Sequence, residues 1–131
     1  MTGLEELLSN MKNVYHLGGA TEDSISSAQV ELGLSFADDY RDYLRQYSLL
    51  SYESHELTGL CKSDRLNVVS ATKREKEDNS YISSDMYLIE QIGVENLTVW
   101  QDSKGNIYSV EYQKPPVLIC NSLIDYIKGQ C

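Results

Sequence analysis

The chain changes its hydrophobic period part-way along, and this change limits the possible folds more than any other feature. Up to about residue 77 apolar side chains recur every three to four positions, the spacing of amphipathic helices; from about residue 87 they alternate or run together as in strands. Leu4, Leu7, Leu8 and Met11 fall at i, i+3, i+4 and i+7 behind a Thr2-x-x-Glu5 capping box, so a helix is expected up to a stop at Gly18-Gly19. Ile25, Ala28 and Leu32 follow Thr21 as a cap and precede Gly33 as a left-handed C-terminal residue. Ser35 and Asp38 can cap a third helix, with a Tyr40, Tyr43, Leu44 and Tyr47 stripe inward and Asp39, Arg41 and Asp42 outward. Glu56 to Leu60 reads as a short strand entering a turn. A fourth helix is expected from about Leu66 to Glu77, its Lys73 to Glu77 run alternating in sign and therefore facing water.

Beyond it, Tyr87 to Ile92, Leu97 to Trp100 and Ile107 to Tyr112 have strand character, and Asp102-Ser103-Lys104-Gly105-Asn106 fits a hairpin loop. Pro115-Pro116 stops the third strand, Val117 to Cys120 pairs once more, and Asn121 caps a last helix with Leu123, Ile124 and Ile127, ended by Gly129. Helices, then antiparallel strands, then one helix give an α+β fold: a single domain over residues 1–131, with the helices packed on one face of the sheet. Tyr87, Leu97, Val99, Trp100, Ile107 and Val110 are the expected core residues, and the pattern leaves open which alternate set points inward.

At 41% hydrophobic and 24% charged residues the composition is that of a folded globular protein, not a disordered one. Twenty acids against eleven bases leave a net charge of −9. Residues 1 to 60 hold ten acids and three bases, and residues 61 to 131 hold ten and eight. Such a surface repels phosphate backbones and anionic lipids, so neither nucleic acid nor membrane is an expected partner. Acidity keeps a protein soluble, and it also suits a basic protein partner. Met1 to Leu17 carries Glu5 and Glu6 and no long apolar stretch, which points to a cytoplasmic location.

Cys61, Cys120 and Cys131 are odd in number and lack metal-ligand spacing, so reduced thiols and no metal site are expected. No Gly-x-Ser-x-Gly elbow, phosphate-binding loop, dinucleotide fingerprint or His-Glu-x-x-His occurs, and no catalytic residue or cofactor is assigned. His55, flanked by Glu53 and Glu56, is better explained as an exposed loop histidine than as a general base. Ten tyrosines stand against one phenylalanine. Tyr40, Tyr43 and Tyr47 fit a helix core with hydroxyls at its rim, whereas Tyr52 and Tyr81 fall outside the stripes and suit an interface.

The run from Ile25 through Ala28, Glu31-Leu32-Gly33-Leu34, Phe36 and Ala37-Asp38-Asp39-Tyr40-Arg41-Asp42-Tyr43-Leu44 resembles the leading motif of the SUKH superfamily, the Smi/Knr cell-wall-regulator-like domain. Glu56-Leu57-x-Gly59-Leu60, Ile92-Gly93, the Asp102 to Tyr108 hairpin and Ser122-Leu123-Ile124-x-Tyr126-Ile127 follow in the family's order. The chain departs from the pattern at Ala37, where the family usually has proline, and at Ser48-Leu49-Leu50-Ser51, often a glycine-rich turn. The resemblance implies a non-catalytic α+β domain that, in bacteria, commonly acts as an immunity protein: it binds a cognate polymorphic toxin, often a nuclease, and blocks it. A regulatory or scaffold module that binds another protein is the alternative. A nuclease is cationic, which fits the acidity, and Asp38, Asp39, Asp42, Tyr52, Glu53 and Glu56 are the expected contact residues.

Overall fold

The computed structural model describes residues 2–93 and 96–131. Five helices and seven strands follow one another: α1 (Thr2–Ser9), β1 (Tyr15–His16), α2 (Glu22–Leu32), α3 (Asp38–Tyr47), β2 (Leu50–Tyr52), β3 (His55–Glu56), α4 (Val68–Glu77), β4 (Tyr87–Gln91), β5 (Thr98–Gln101), β6 (Ile107–Val110), β7 (Val117–Cys120) and α5 (Leu123–Lys128). The first three strands form a small antiparallel sheet in the order β1-β2-β3, and the last four form a meander in the order β4-β5-β6-β7. The fold is α+β, as the change of period predicts.

Helix ends follow their chemistry. The Thr21 hydroxyl accepts the Ser24 N–H at the start of α2, and Gly33 closes it with φ 66. At α4 the Asn67 side chain accepts from Val69 and Ser70, so the helix starts at Val68 instead of Leu66. Ser122, not Asn121, caps α5 through the Asp125 N–H. Ala37 occupies the cap of α3 without a side-chain bond, so neither Ser35 nor Asp38 plays that part. The Thr2–Glu5 capping box involves a side chain outside the described residues. Helix α1 ends at Ser9, well before Gly18-Gly19, because the chain turns at Asn13 (φ 57) and spends Tyr15 and His16 pairing with β2. Strand β6 likewise ends at Val110, where Glu111 to Lys114 make a turn before the two prolines.

Alternation sends the two sides of the larger sheet into different cores. Tyr87, Ile89, Val99, Ile107 and Cys120 join the main cluster with Leu4 and Leu8 of α1, Ile25 and Ala28 of α2, the α3 stripe, and Leu123 and Ile127 of α5. Leu88, Trp100 and Val110 face the other way and pack with Met86 and Ala71 of α4. The expected helical layer on one face is therefore present, and α4 adds cover on the second. The expected core residues divide between the two faces, and Leu97 is half-buried.

The tyrosines replace phenylalanines for a stated reason: their hydroxyls tie together backbone groups that burial would otherwise leave unpaired. Tyr43 donates to the Thr58 carbonyl at 2.8 Å, Tyr40 lies 3.1 Å from the Thr58 hydroxyl, and that hydroxyl donates to the Leu88 carbonyl at 2.6 Å. The Tyr87 hydroxyl accepts the Ala37 N–H and donates to Gln101 Oε1. Phe36, Tyr40 and Tyr87 stack edge-on or tilted, with ring centroids 4.8 to 5.0 Å apart. Gly59 lets the strand-like segment 57–60 lie against the end of α3: a Cβ there would sit 1.8 Å from the Ser48 carbonyl oxygen. Ser48 takes φ +57 just past the end of α3, held by its hydroxyl bond to the Gly18 carbonyl.

One expectation fails at the C-terminus. Cys120 and Cys131 form a disulfide across 11 positions, because α5 folds back and returns the chain end to β7, with Cα atoms 5.0 Å apart. Spacing alone hides this pairing, since it depends on a helix reversing direction. Cys61 remains free.

Candidate partner-binding site

The β2–β3 turn carries three of the expected contact residues. Glu53 is exposed at its left-handed tip, φ 54, with its N–H donated to the Lys12 carbonyl. Glu56 is exposed and paired with Arg65 at 3.1 Å. Tyr52, by contrast, is only 2% exposed: it belongs to the core and offers no contact surface, because strand alternation turns its ring inward between Ser51 and Glu53. Its ring stacks on His55, centroids 5.0 Å apart.

Beneath the turn lies a cluster that local sequence does not reveal. Glu90 of β4 is 3% exposed at its side chain, and its carboxylate is surrounded by donors. His55 Nδ1 lies 3.1 and 3.2 Å from the two oxygens, the Tyr126 hydroxyl of α5 donates at 2.5 Å, and the Glu56 N–H donates at 3.3 Å. His55 thus faces a carboxylate 35 positions away, not its neighbours Glu53 and Glu56, and it is half-buried instead of fully exposed. Burial raises the Tyr126 hydroxyl far above its ordinary value, and the Glu90 charge pushes it the same way; Tyr52 is raised for the same two reasons. Both hydroxyls stay protonated at every physiological pH, so Tyr126 remains a donor to Glu90. The one hint in the sequence is that Glu90 is the single charged residue within the apolar run Tyr87 to Ile92.

This cluster forms the ridge between two clefts. One, of about 390 Å³, is bounded by Met11, Glu53, His55, Tyr126 and Lys128. The other, of about 410 Å³, is bounded by Ser54, His55, Glu56, Arg65 and Ile92. Carboxylates of the turn thus stand beside both openings, on a base fixed by three separate elements.

The α3 carboxylates lie elsewhere and differ in role. Asp38 is 93% exposed at its side chain and pairs with Arg41 of the next turn. Asp42 pairs with Arg45 at 2.7 Å, and Arg45 also holds Glu22 of α2 at 2.5 Å. The bond to Glu22, and after it the one to Asp42, raises the Arg45 guanidinium, and Arg45 in turn lowers the Glu22 carboxyl. Asp39 is an internal joint: its oxygens accept Gln101 Nε2 of β5 at 3.0 Å and the Leu123 N–H, the first of α5, at 2.7 Å. The exposed face of α3 is therefore one of alternating signs, and the six expected residues do not gather on one flank.

Two antiparallel sheets, five helices and a saturated buried carboxylate between β3, β4 and α5 describe a compact α+β scaffold that presents charged clefts. The chain belongs to the SUKH family: the SUKH_5 model, described as SMI1-KNR4 cell-wall, matches residues 3–129. Among curated proteins none matches the chain. No helix of the described residues is long and apolar enough to cross a membrane.

Proposed function

We propose that this protein is an immunity protein that binds a cognate bacterial polymorphic toxin and neutralises it by occlusion, without turnover of its own, in the cytoplasm. The observation that supports it is the combination of family membership with a net charge of −9, two of whose exposed carboxylates, Glu53 and Glu56, border clefts. A toxin that acts on nucleic acid needs a cationic surface, and an acidic protein is steered onto such a surface. In this reading Glu53 and Glu56 make the contacts beside the clefts, and Asp38 and Asp42 on the separate face of α3 contribute long-range attraction; Asp39 and Tyr52 hold the two elements in place from within.

Co-expression with the toxin encoded beside it is the test. Continued killing in the presence of soluble protein would refute the reading. In purified components, the double reversal Asp42→Lys and Glu53→Lys is expected to slow association by about tenfold or more at low salt and to flatten its salt dependence. Unchanged association would remove those residues from the interface. Membership of a family described as SMI1-KNR4 cell-wall leaves room for a second reading, a regulatory or scaffold module; a stable complex with a non-toxin protein, and no protection in co-expression, would support it.

A further inference from the structure

We infer that the Cys120–Cys131 pair is a reversible redox site, open to small thiols at Cys131, and that it latches the end of α5 over the Glu90 cluster. The two sulfurs sit in different surroundings. Cys120 is 5% exposed and belongs to the main core, whereas Cys131 is exposed at the end of the chain. Exposed disulfides are the ones that exchange with thiols, while buried structural ones resist reduction.

The bond also supplies a tie that the end of the chain otherwise lacks. Gly129 and Gln130 donate their N–H groups to the Tyr126 and Asp125 carbonyls, inside α5 itself. Among the described residues, no hydrogen bond runs from positions 129–131 to any other element. Cys131 borders the cleft of about 390 Å³ together with Tyr126, Lys128, Glu53 and His55, so the bond fixes one wall of that opening. Breaking it leaves the fold standing. As a thiol, Cys120 behaves as a small buried hydrophobe. Helix α5 keeps Leu123 and Ile127 in the core, its Ser122 cap and its bond to Asp39. Reduction therefore loosens one helix and one cleft wall without dismantling the rest.

The reductant is a low-molecular-weight thiol. Its thiolate attacks Cys131 Sγ; the Cys120–Cys131 bond breaks, and its electron pair goes to Cys120 Sγ, which takes up the proton that the thiol released. A second thiolate attacks the small-molecule sulfur of the mixed disulfide and frees Cys131, which takes the second proton. Two small thiols become one small disulfide, and the protein gains two electrons and two protons. The reverse sequence, with the small disulfide as oxidant, re-forms the bond. Freed at one end, the segment closed across 11 positions regains the entropy that closure removed, so α5 should open roughly thirty- to a hundredfold more often.

Hydrogen exchange of the full chain in glutathione buffers tests this. In a Cys61→Ser background, which removes the free thiol, alkylation in denaturant should count no thiol after oxidised glutathione and two after excess reduced glutathione. In the reduced form, exchange at Tyr126, Ile127 and Lys128 should be faster by the factor above, exchange in α3 should be unchanged, and the circular dichroism should be retained. Oxidised glutathione should then restore the slow exchange. Cys131→Ser should exchange at the reduced rate in either buffer. A bond that survives the reduced buffer is structural and overturns the proposal. So does a reduction that unfolds the whole chain, one that leaves exchange along α5 unaltered, or one that oxidised glutathione does not reverse. No toxin enters these measurements, so they stand apart from the co-expression outcome.

Discussion

Glu90→Gln is the most informative single substitution in this protein. Glutamine keeps the shape of the side chain but replaces a charged acceptor with a neutral oxygen and an amide donor. The cheapest arrangement leaves the amide oxygen facing the Glu56 N–H and turns the NH₂ towards Tyr126, whose hydroxyl must then accept and lose its own acceptor. Bonds to a charged group are worth about 1.5–3 kcal/mol against about 1 kcal/mol for neutral ones, so exchanging the Tyr126 and His55 contacts costs about 1–2 kcal/mol each. Relief from burying a charge returns part of this, and a net loss of about 1–3 kcal/mol is expected. Glu90→Ala should cost more, about 3–5 kcal/mol, because it orphans all three donors. Tyr126→Phe should cost about 1–2 kcal/mol, and a cycle with Glu90→Gln should show coupling of about 1 kcal/mol or more. Urea denaturation followed by circular dichroism measures all four variants; at about 3–5 °C per kcal/mol, Glu90→Gln also lowers Tm by several degrees. A Glu90→Gln protein as stable as wild type, or a cycle with no coupling, would refute the view that this carboxylate joins β3, β4 and α5.

Three further outcomes are expected. The hydroxyls of Tyr40, Tyr43, Tyr52, Tyr87 and Tyr126 are all raised, burial being the largest cause in each. Their contribution is fully present below the unfolded value near 10 and is lost as pH rises above it, so stability should fall in alkali; absorbance at about 295 nm should show half of the ten tyrosines ionising only on unfolding. Gly59→Ala should destabilise by about 2 kcal/mol or more, since its Cβ meets backbone at 1.8 Å, whereas Gly18→Ala, with nothing within 4 Å, should be near neutral in the same urea titration. Reducing Cys120–Cys131, or replacing Cys131 by Ser, opens a loop closed across 11 positions and should cost about 2–3 kcal/mol by the loop-closure relation; an unchanged denaturation midpoint on adding reductant would count against the bond in solution.

What the sequence disclosed follows from how each element announces itself. The α3 stripe and the β5–β6 hairpin were legible because ten-residue periodicity and a glycine-bearing loop are local signals: Asp102 accepts the Lys104 and Asn106 N–H groups within that loop. The small sheet was hidden, since strands of two or three residues have too few positions to show alternation, and β3 (His55–Glu56) meets the expected Glu56 to Leu60 segment only at Glu56. The two-sided burial of the larger sheet explains why Tyr87 and Trp100 both read as core without a consistent inward set. At the candidate site, Glu53 and Glu56 were legible as exposed carboxylates, but Tyr52 was misplaced because its burial comes from strand pairing. Glu90, His55 and Tyr126 meet only through the fold, across 35 and 36 positions, and Asp39 reaches Leu123 across 84.

That last contact bears on the order of assembly. A six-residue helix is far too short to persist by itself, and the first N–H of α5, that of Leu123, donates to the Asp39 carboxylate, which Gln101 of β5 also holds. During synthesis the ridge between the two clefts therefore stays unfinished until the chain beyond residue 126 has emerged, when Tyr126 can close over Glu90. A protein built in this way completes the cover over Glu90 only when α5 docks, so amide exchange along α5 reports how often that cover opens.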